Sequence, residues 1–178
     1  MTNSIKTDRL VLRRWREEDK EPFAALNADP VVMEHFPATL SREESDALVE
    51  RVEAGFEEHG FGWWAVEADG EFLGFTGLQV PRFTAHFTPC VEIGWRFASS
   101  AWGRGYATEA ARASLEDGFG RLGLTEIVSF TAGPNVRSQA VMRRLGMTHD
   151  AAGDFDHPVL PEGHPLRRHV LYRIRPQG

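Results

Sequence analysis

The sequence predicts a mixed α/β fold: an antiparallel meander, then a β-α-β-α-β run, with helices on both faces of one sheet. Three observations carry that expectation. Asp69-Gly70 separates two β-type runs, the strongest short-range hairpin signal. The apolar run Val91–Phe97 leads through a glycine-rich turn into a helical segment. No repeat, low-complexity tract or linker divides the 178 residues, so residues 1–178 read as a single domain with a substantial core.

Leu10–Trp15 alternates well enough for a first strand. Glu18–Ala28 follows as a short helix with Phe23 and Leu26 facing inward. The next helix starts at Ser41, where Glu44 three residues later completes a capping box. Leu48, Val52 and Phe56 then form one apolar stripe that stops at Gly60. Trp63–Ala68 and Glu71–Val80 form the hairpin, Pro81–Pro89 a loop and Cys90–Phe97 a further strand. Tyr106–Leu122 reads as a helix with a small-residue face of Ala107, Ala110, Ala111, Ser114, Leu115 and Phe119, ended by Gly123. Glu126–Ala132 is a strand, Asn135–Leu145 a short helix closed by Gly146, and His169–Arg175 a last strand. Between these last two lies a Gly- and Pro-rich loop, Asp150–Pro165. The order is β-α-α-β-β-β-α-β-α-β.

Composition narrows the partners. The 42% hydrophobic and 26% charged fractions are those of an ordinary soluble globular protein. MTNSIKTDRL lacks the apolar core of a signal peptide, and no window nears the ~18 apolar residues of a membrane helix. Cys90 is the single cysteine, so no internal disulfide forms and a reducing cytoplasm is the expected setting. A net charge of −6 argues against nucleic acid as a partner. Acids dominate from Glu43 to Glu71, which leans towards a cationic acceptor unless Glu43–Glu58 is only the wet side of a helix. Association state leaves no mark in the sequence; a homodimer is the commonest assembly.

The chemistry centres on Ser99–Ala110, SSAWGRGYATEA. A helix N-terminus carries unpaired N–H groups, and glycines ahead of it let a phosphate approach the backbone closely. A Walker A loop needs Gly-Lys-Ser/Thr, which is missing. A dinucleotide fingerprint needs a third Gly where Thr108 stands, and belongs in an opening βαβ unit. A pyrophosphate loop for acetyl-coenzyme A is the remaining reading.

At this point the chain resembles the GCN5-related N-acetyltransferases (GNATs), whose loop runs Gln/Arg-x-x-Gly-x-Gly/Ala. Gly105-Tyr106-Ala107 match its last three positions, and Trp102 stands where Gln or Arg is usual, as in the RimJ/RimL branch. Thr7–Arg13 resembles that branch's first strand, and Asn135–Met147 resembles the family's Asn-x-x-Ser segment ending in Leu-Gly-Phe, with Met for Phe. The resemblance implies an acetyl-CoA-dependent N-acetyltransferase whose acceptor is a primary amine, either a protein N-terminus or a small amine. It further implies direct attack by that amine in a ternary complex. A module that binds acyl-CoA without turnover is the alternative from a different class.

Carried over position by position, the resemblance implies that Trp102, Gly103, Arg104, Gly105, Tyr106, Ala107 and Thr108 wrap the pyrophosphate. It also implies that the backbone of Ile93, Gly94, Trp95, Arg96 and Phe97 meets the pantetheine arm where the strand splays, and offers an oxyanion donor. Gly94 reads equally as a packing or bulge glycine. Asn135 is expected to touch the pantetheine arm, to cap the helix that follows, or both. Ser138, one turn on, is expected near the thioester sulfur as proton donor or hydrogen-bond partner of the departing thiolate; this helix holds no Tyr. Glu92 is a carboxylate on an apolar strand: a base taking the amine's proton, a salt-bridge partner of an Arg, or a strand end in solvent. Cys90 reads as a buried apolar residue and not an acyl carrier. The histidines near the C-terminal end, His149, His157, His164 and His169, lack zinc spacing, so no metal is expected. With Phe36, Phe83 and Phe87, the Asp150–Pro165 loop is the expected wall of the acceptor pocket.

Overall fold

The computed structural model describes residues 3–178. Among them, nine strands form one sheet in the order β1-β2-β3-β4-β5-β6-β9-β7, with β8 also on β9. Four α-helices pack against it. Every pair is antiparallel except β5–β6. No helix among the described residues is long and apolar enough to cross a membrane.

The start of the chain is a hairpin of β1 (Ser4–Lys6) and β2 (Val11–Arg13), not the single strand expected over Leu10–Trp15. Arg14 and Trp15 leave the ladder because their side chains are engaged elsewhere. Arg14 forms ion pairs with Glu53 and Glu57, and the Trp15 indole donates to the Trp63 carbonyl at 2.7 Å. A 3-10 turn at Glu17–Asp19 feeds α1 (Lys20–Ala28), which buries Phe23 and Leu26 as expected.

α2 (Arg42–His59) begins at the Ser41 capping box and stops at Gly60, held at φ 75°. Its inward stripe is wider than Leu48, Val52 and Phe56, because Ser45 and Val49 are also buried. β3 (Trp63–Ala68) and β4 (Glu71–Gln79) meet at Asp69-Gly70. Both turn residues take positive φ, 50° and 81°, the geometry a tight two-residue hairpin needs.

β5 (Glu92–Phe97) begins two residues later than expected. α3 (Tyr106–Gly120) turns its buried Ala110, Ala111, Ser114 and Leu115 to the sheet. β6 (Ile127–Ala132), α4 (Val136–Arg144) and β9 (Arg168–Ile174) fall where the sequence placed them within two residues. Two dipeptide strands, β7 (Thr148–His149) and β8 (Phe155–Asp156), pin the long C-terminal loop to β9.

Strand alternation sorts the core onto two faces. Ile93 and Leu78 join Ala111, Leu115, Val141 and Met142 beneath α3 and α4. On the opposite face Phe75 and Ala65 pack with Phe23 and Leu26 of α1, while Val128 and Leu171 pack with Phe87 and Phe155 from the loops. Glu92, Gly94 and Arg96 lie on this second face, between the α1 cluster and the loop cluster.

Candidate active site

β5 and β6 are parallel neighbours that touch only at their beginnings, with Glu92 opposite Val128 as the single paired position. The Val128 N–H donates to the Val91 carbonyl at 2.9 Å, and Ser129 Oγ to the Ile93 carbonyl at 2.9 Å. Beyond these the strands part. Peptide groups alternate in direction along a strand, so those of Val91, Ile93 and Trp95 point towards β6. At Trp95 that neighbour has gone, which leaves its N–H and C=O on an open edge.

A cleft of about 1710 Å³ runs through this opening. That volume is well above the roughly 300–1,000 Å³ of an ordinary small-molecule pocket, large enough for two ligands.

One half of the cleft ends on the N-terminus of α3. Gly103 and Gly105 take φ of 78° and 77°, a conformation that disfavours any side chain. A Cβ added at Gly103 would meet nothing within 4 Å, and at Gly105 only the Arg9 guanidinium at 3.5 Å. These glycines therefore serve the turn and leave the backbone bare. α2 and α4 are capped by the side chains of Ser41 and Asn135; α3, with Gly105 at its N-cap, has no side-chain cap. Its first N–H groups are thus left without an intrahelical or capping partner beside a cavity, which fits a pyrophosphate.

Trp102, Gly103, Gly105, Tyr106, Ala107 and Thr108 all line the cleft. Arg104 does not: its side chain is exposed outside, and its carbonyl accepts from Arg9 Nη1 at 2.8 Å. Two cations absent from the sequence reading stand here instead. Arg9 lies 4.6 Å over the Tyr106 ring and pairs with Glu109 at 2.7 Å, bracing the turn. Arg137 stacks 3.8 Å over the Trp102 ring and lines the cleft. The Trp102 indole donates to the Phe97 carbonyl at 3.0 Å, tying the turn to the end of β5.

Asn135 spends its amide on local structure. Its Oδ1 accepts from the Ser138 N–H at 3.3 Å, and its Nδ2 donates to Thr131 Oγ1 and Ser138 Oγ at 3.0 and 3.1 Å. The capping role is thus what the geometry shows. Asn135 and Ser138 both line the cleft, and Ser138 Oγ sits there with only the Asn135 amide for a partner.

Of the residues expected on β5, Ile93 and Phe97 bury their side chains in the core and offer only backbone; Trp95 packs partly against the same core. Gly94 is neither a bulge nor a close backbone contact. The β4–β5 register runs unbroken past it, and a Cβ there would meet the Trp63 indole at an ordinary 3.7 Å. The close approaches belong to β4. Gly74 and Gly77 would place a Cβ 2.2 Å from the Arg96 carbonyl and 2.1 Å from that of Gly62.

Glu92 is neither salt-bridged nor at a wet strand end. It is 7% exposed, faces the cleft, and bonds only Gln79 Nε2, at 2.7 Å. Burial pushes its carboxyl up to about 8, against the smaller opposing effect of the Gln79 bond. Arg96, two positions beyond Gly94 on the same face, is a second ionisable group without a counter-charge. Its Nη1 donates to Asn27 Oδ1 at 2.7 Å, its carbon lies 4.3 Å over the Phe36 ring, and its buried Nε has no partner. Burial alone pulls its guanidinium down to about 10.

The far wall comes from the loops. Phe36 and Phe83 line the cleft as expected, with His157, Leu160 and His169 beside Phe83. Phe87 instead belongs to the buried cluster behind them. His157 and His169 lie 4.9 Å apart. Burial lowers both, and the His169 charge adds to bring His157 down to about 4. Among the described residues no cluster of three or more His, Cys, Asp or Glu is arranged to hold a metal. Burial raises the Cys90 thiol to about 11, with the nearby Glu92 charge adding to it, which leaves no thiolate nucleophile at neutral pH.

A bare-backbone helix N-terminus, a parted parallel strand pair and a carboxylate facing the gap agree with the comparison to known proteins. Residues 9–148 match the acetyltransferase (GNAT) domain. The chain belongs to the GNAT acetyltransferase family. That membership and the shared fold uphold the expected mixed α/β architecture and the expected acetyltransferase family.

It is 33% identical over 153 residues to the FsC-acetyl coenzyme A-N(2)-transacetylase of Aspergillus fumigatus, covering 82% of this chain and 65% of that protein. The chain thus spans just under two thirds of that relative. An acetyltransferase of Agrobacterium tumefaciens superposes with a TM-score of 0.81 at 27% identity, over 99% of this chain and 96% of that one. RimL, the ribosomal L7/L12 alpha-N-protein acetyltransferase solved in complex with coenzyme A, shares the fold. Its TM-score is 0.77 at 18% identity, over 97% of each chain.

Proposed function

We propose that this GNAT protein is an N-acetyltransferase of the RimJ/RimL-like branch, moving the acetyl group to a primary amine by direct attack in a ternary complex. The single observation that carries the reading is the uncompensated Glu92 carboxylate facing the gap where β5 leaves β6.

Trp102, Gly103, Gly105, Tyr106, Ala107 and Thr108 hold the pyrophosphate through backbone N–H groups, with Arg137 adding charge. The open edge at Trp95 pairs with the pantetheine arm, and the Trp95 N–H faces the oxygen that becomes negative during attack. Glu92, directly or through a water, takes the proton that the amine nitrogen loses as it bonds to the carbonyl carbon. The C–S bond then breaks, and Ser138 Oγ supplies a hydrogen bond or proton to the departing thiolate. Cys90 takes no part, which supports one direct transfer without an acyl-enzyme. A cytoplasmic setting fits a lone, half-buried thiol.

Thiol release from acetyl-CoA across a panel of amino acids, polyamines and peptides tests the proposal. Release that depends on both the amine and Glu92 is the expected result. Tight CoA binding with no release on any amine would instead make the chain an acyl-CoA sensor.

A further inference from the structure

We propose that the acceptor amine carries a carboxylate, and that Arg96, held by Asn27 between Phe36 and Phe75, is its binding residue. The inference rests on the acetyl-transfer reading of the cleft and names the chemical class of its second substrate: a small amino-carboxylate of the amino-acid type.

Arg96 lies on the floor of the cleft, two residues beyond Gly94 and four beyond Glu92 on the same face of β5. Its only protein hydrogen bond goes to a neutral amide oxygen, Asn27 Oδ1, at 2.7 Å. The rings of Phe36 and Phe75 sit 4.3 and 5.4 Å from the guanidinium carbon. Neither an amide nor a ring face neutralises a cation, and a buried charge left unpaired is costly unless a counter-ion arrives. Arg13, which is buried, shows the contrast: it is met by both Asp19 and Glu67, whereas half-buried Arg96 meets neither kind of partner. Arg96 has no carboxylate partner, and burial alone governs its titration.

The unsatisfied groups nearby are of one kind. Trp63 Nε1 and Arg96 Nε are both buried N–H donors without acceptors, and both side chains line the cleft. Gly94 lies between them, and its missing side chain leaves room in front of the Trp63 indole, whose Nε1 would be 3.7 Å from a Cβ. A guanidinium without a counter-charge, set in a wall that holds a further unpaired N–H, calls for a planar acceptor with negative charge. A carboxylate meets a guanidinium fork with two parallel hydrogen bonds. Glu92 and Arg96 stand roughly 13 Å apart along the strand at about 3.3 Å per residue. An amino acid spans only about 3 Å from amine to carboxylate, so with its carboxylate on Arg96 its amine meets Glu92 through a water and not directly.

The same geometry removes the ground for a basic acceptor. Within the acidic stretch, Glu53 and Glu57 are paired with Arg14 and Asp46 with Arg42; of the acids between Glu43 and Glu58, only Glu58 lines the cleft.

The test needs no turnover. The CoA complex is titrated calorimetrically with N-acetyl amino acids of small, acidic, basic and aromatic side chain, and with their amides, which lack only the carboxylate charge. At least one N-acetyl amino acid is expected to bind tenfold or more tightly than its amide. That preference disappears in Arg96→Met. It also falls in Asn27→Asp, which places an internal carboxylate on Arg96 and competes with the ligand. CoA affinity, unchanged within twofold, reports that each variant is folded; should Arg96→Met fail to fold, the wild-type preference and Asn27→Asp decide. Amides binding as well as acids, no binding across the panel, or a preference kept by the folded variants would overturn the proposal. Acid-selective binding without thiol release from any amine would leave the carboxylate site standing and sink the acetyl-transfer reading.

Discussion

Glu92→Gln separates a buried base from a buried structural residue, because it removes the titration and keeps the shape. The carboxyl is 7% exposed and receives one hydrogen bond, from Gln79 at 2.7 Å. Desolvation raises it from 4.5 to about 8, a gap worth at most about 5 kcal/mol. The sign follows from where the proton is held more tightly. Between pH 4.5 and about 8 the folded protein keeps a proton that the unfolded chain releases. The stability of the wild type relative to the variant is therefore fully present below pH 4.5, declines through neutral pH and levels off above about 8. Denaturant unfolding of both proteins at pH 5, 7 and 9 reads that divergence directly. Initial rates of thiol release over the same range report the chemistry. Wild-type kcat/KM rises with pH through an inflection near 8, whereas the variant loses that limb and roughly 10²–10⁴-fold in rate. A stability difference independent of pH would show that Glu92 is ionised and compensated in the fold. A variant retaining near-wild-type rate and pH profile would remove Glu92 from the proton path.

Two further outcomes follow from the same geometry. Gly105→Val is expected to abolish CoA binding in equilibrium titration while costing only about 1–2 kcal/mol in stability. The position has φ 77° and only the Arg9 guanidinium nearby, so the fold tolerates a side chain that the cradle does not; retained affinity would refute the cradle. Asp19→Ala is expected to cost about 3 kcal/mol and lower Tm by roughly 10 °C in thermal unfolding, with CoA affinity unchanged. Asp19 takes two hydrogen bonds from buried Arg13, at 2.7 and 2.9 Å, and its loss leaves Glu67 as the remaining partner.

Elements announced by local chemistry were legible in the sequence. The Ser41 box, the Asp69-Gly70 turn and the stops at Gly60 and Gly146 each mark one backbone conformation, both stops with positive φ, whereas the helix expected to stop at Gly123 ends at Gly120. β1, β7 and β8 were not, because strands of two or three residues are too short to show a period. Gly94 drew attention as the odd glycine of its strand, yet the strand that needs glycine is β4, where Gly74 and Gly77 lie against neighbouring carbonyls. Two glycines three apart in Glu71-Phe-Leu-Gly-Phe-Thr-Gly-Leu carried that signal. Arg9 and Arg137 left no trace, since each acts on the Trp102–Thr108 turn from a distant part of the chain.

The two halves of the cleft differ in legibility for a physical reason. The coenzyme half is a backbone site, and backbone availability is written locally as glycine before a helix with no capping side chain. The proposed acceptor half is a side-chain site assembled from Asn27, Phe36, Trp63, Glu92 and Arg96, which four separate segments contribute. What gives those residues meaning is desolvation, and burial is a property of the assembled fold. The acidic stretch Glu43–Glu71 and the proposed carboxylate site consequently point to different acceptors. Surface acids are paired or screened by salt within about 8–10 Å, whereas a half-buried guanidinium without a counter-charge acts at contact range. On the proposed carboxylate site, one arginine without a counter-charge outweighs the surface acids of α2 in choosing the acceptor.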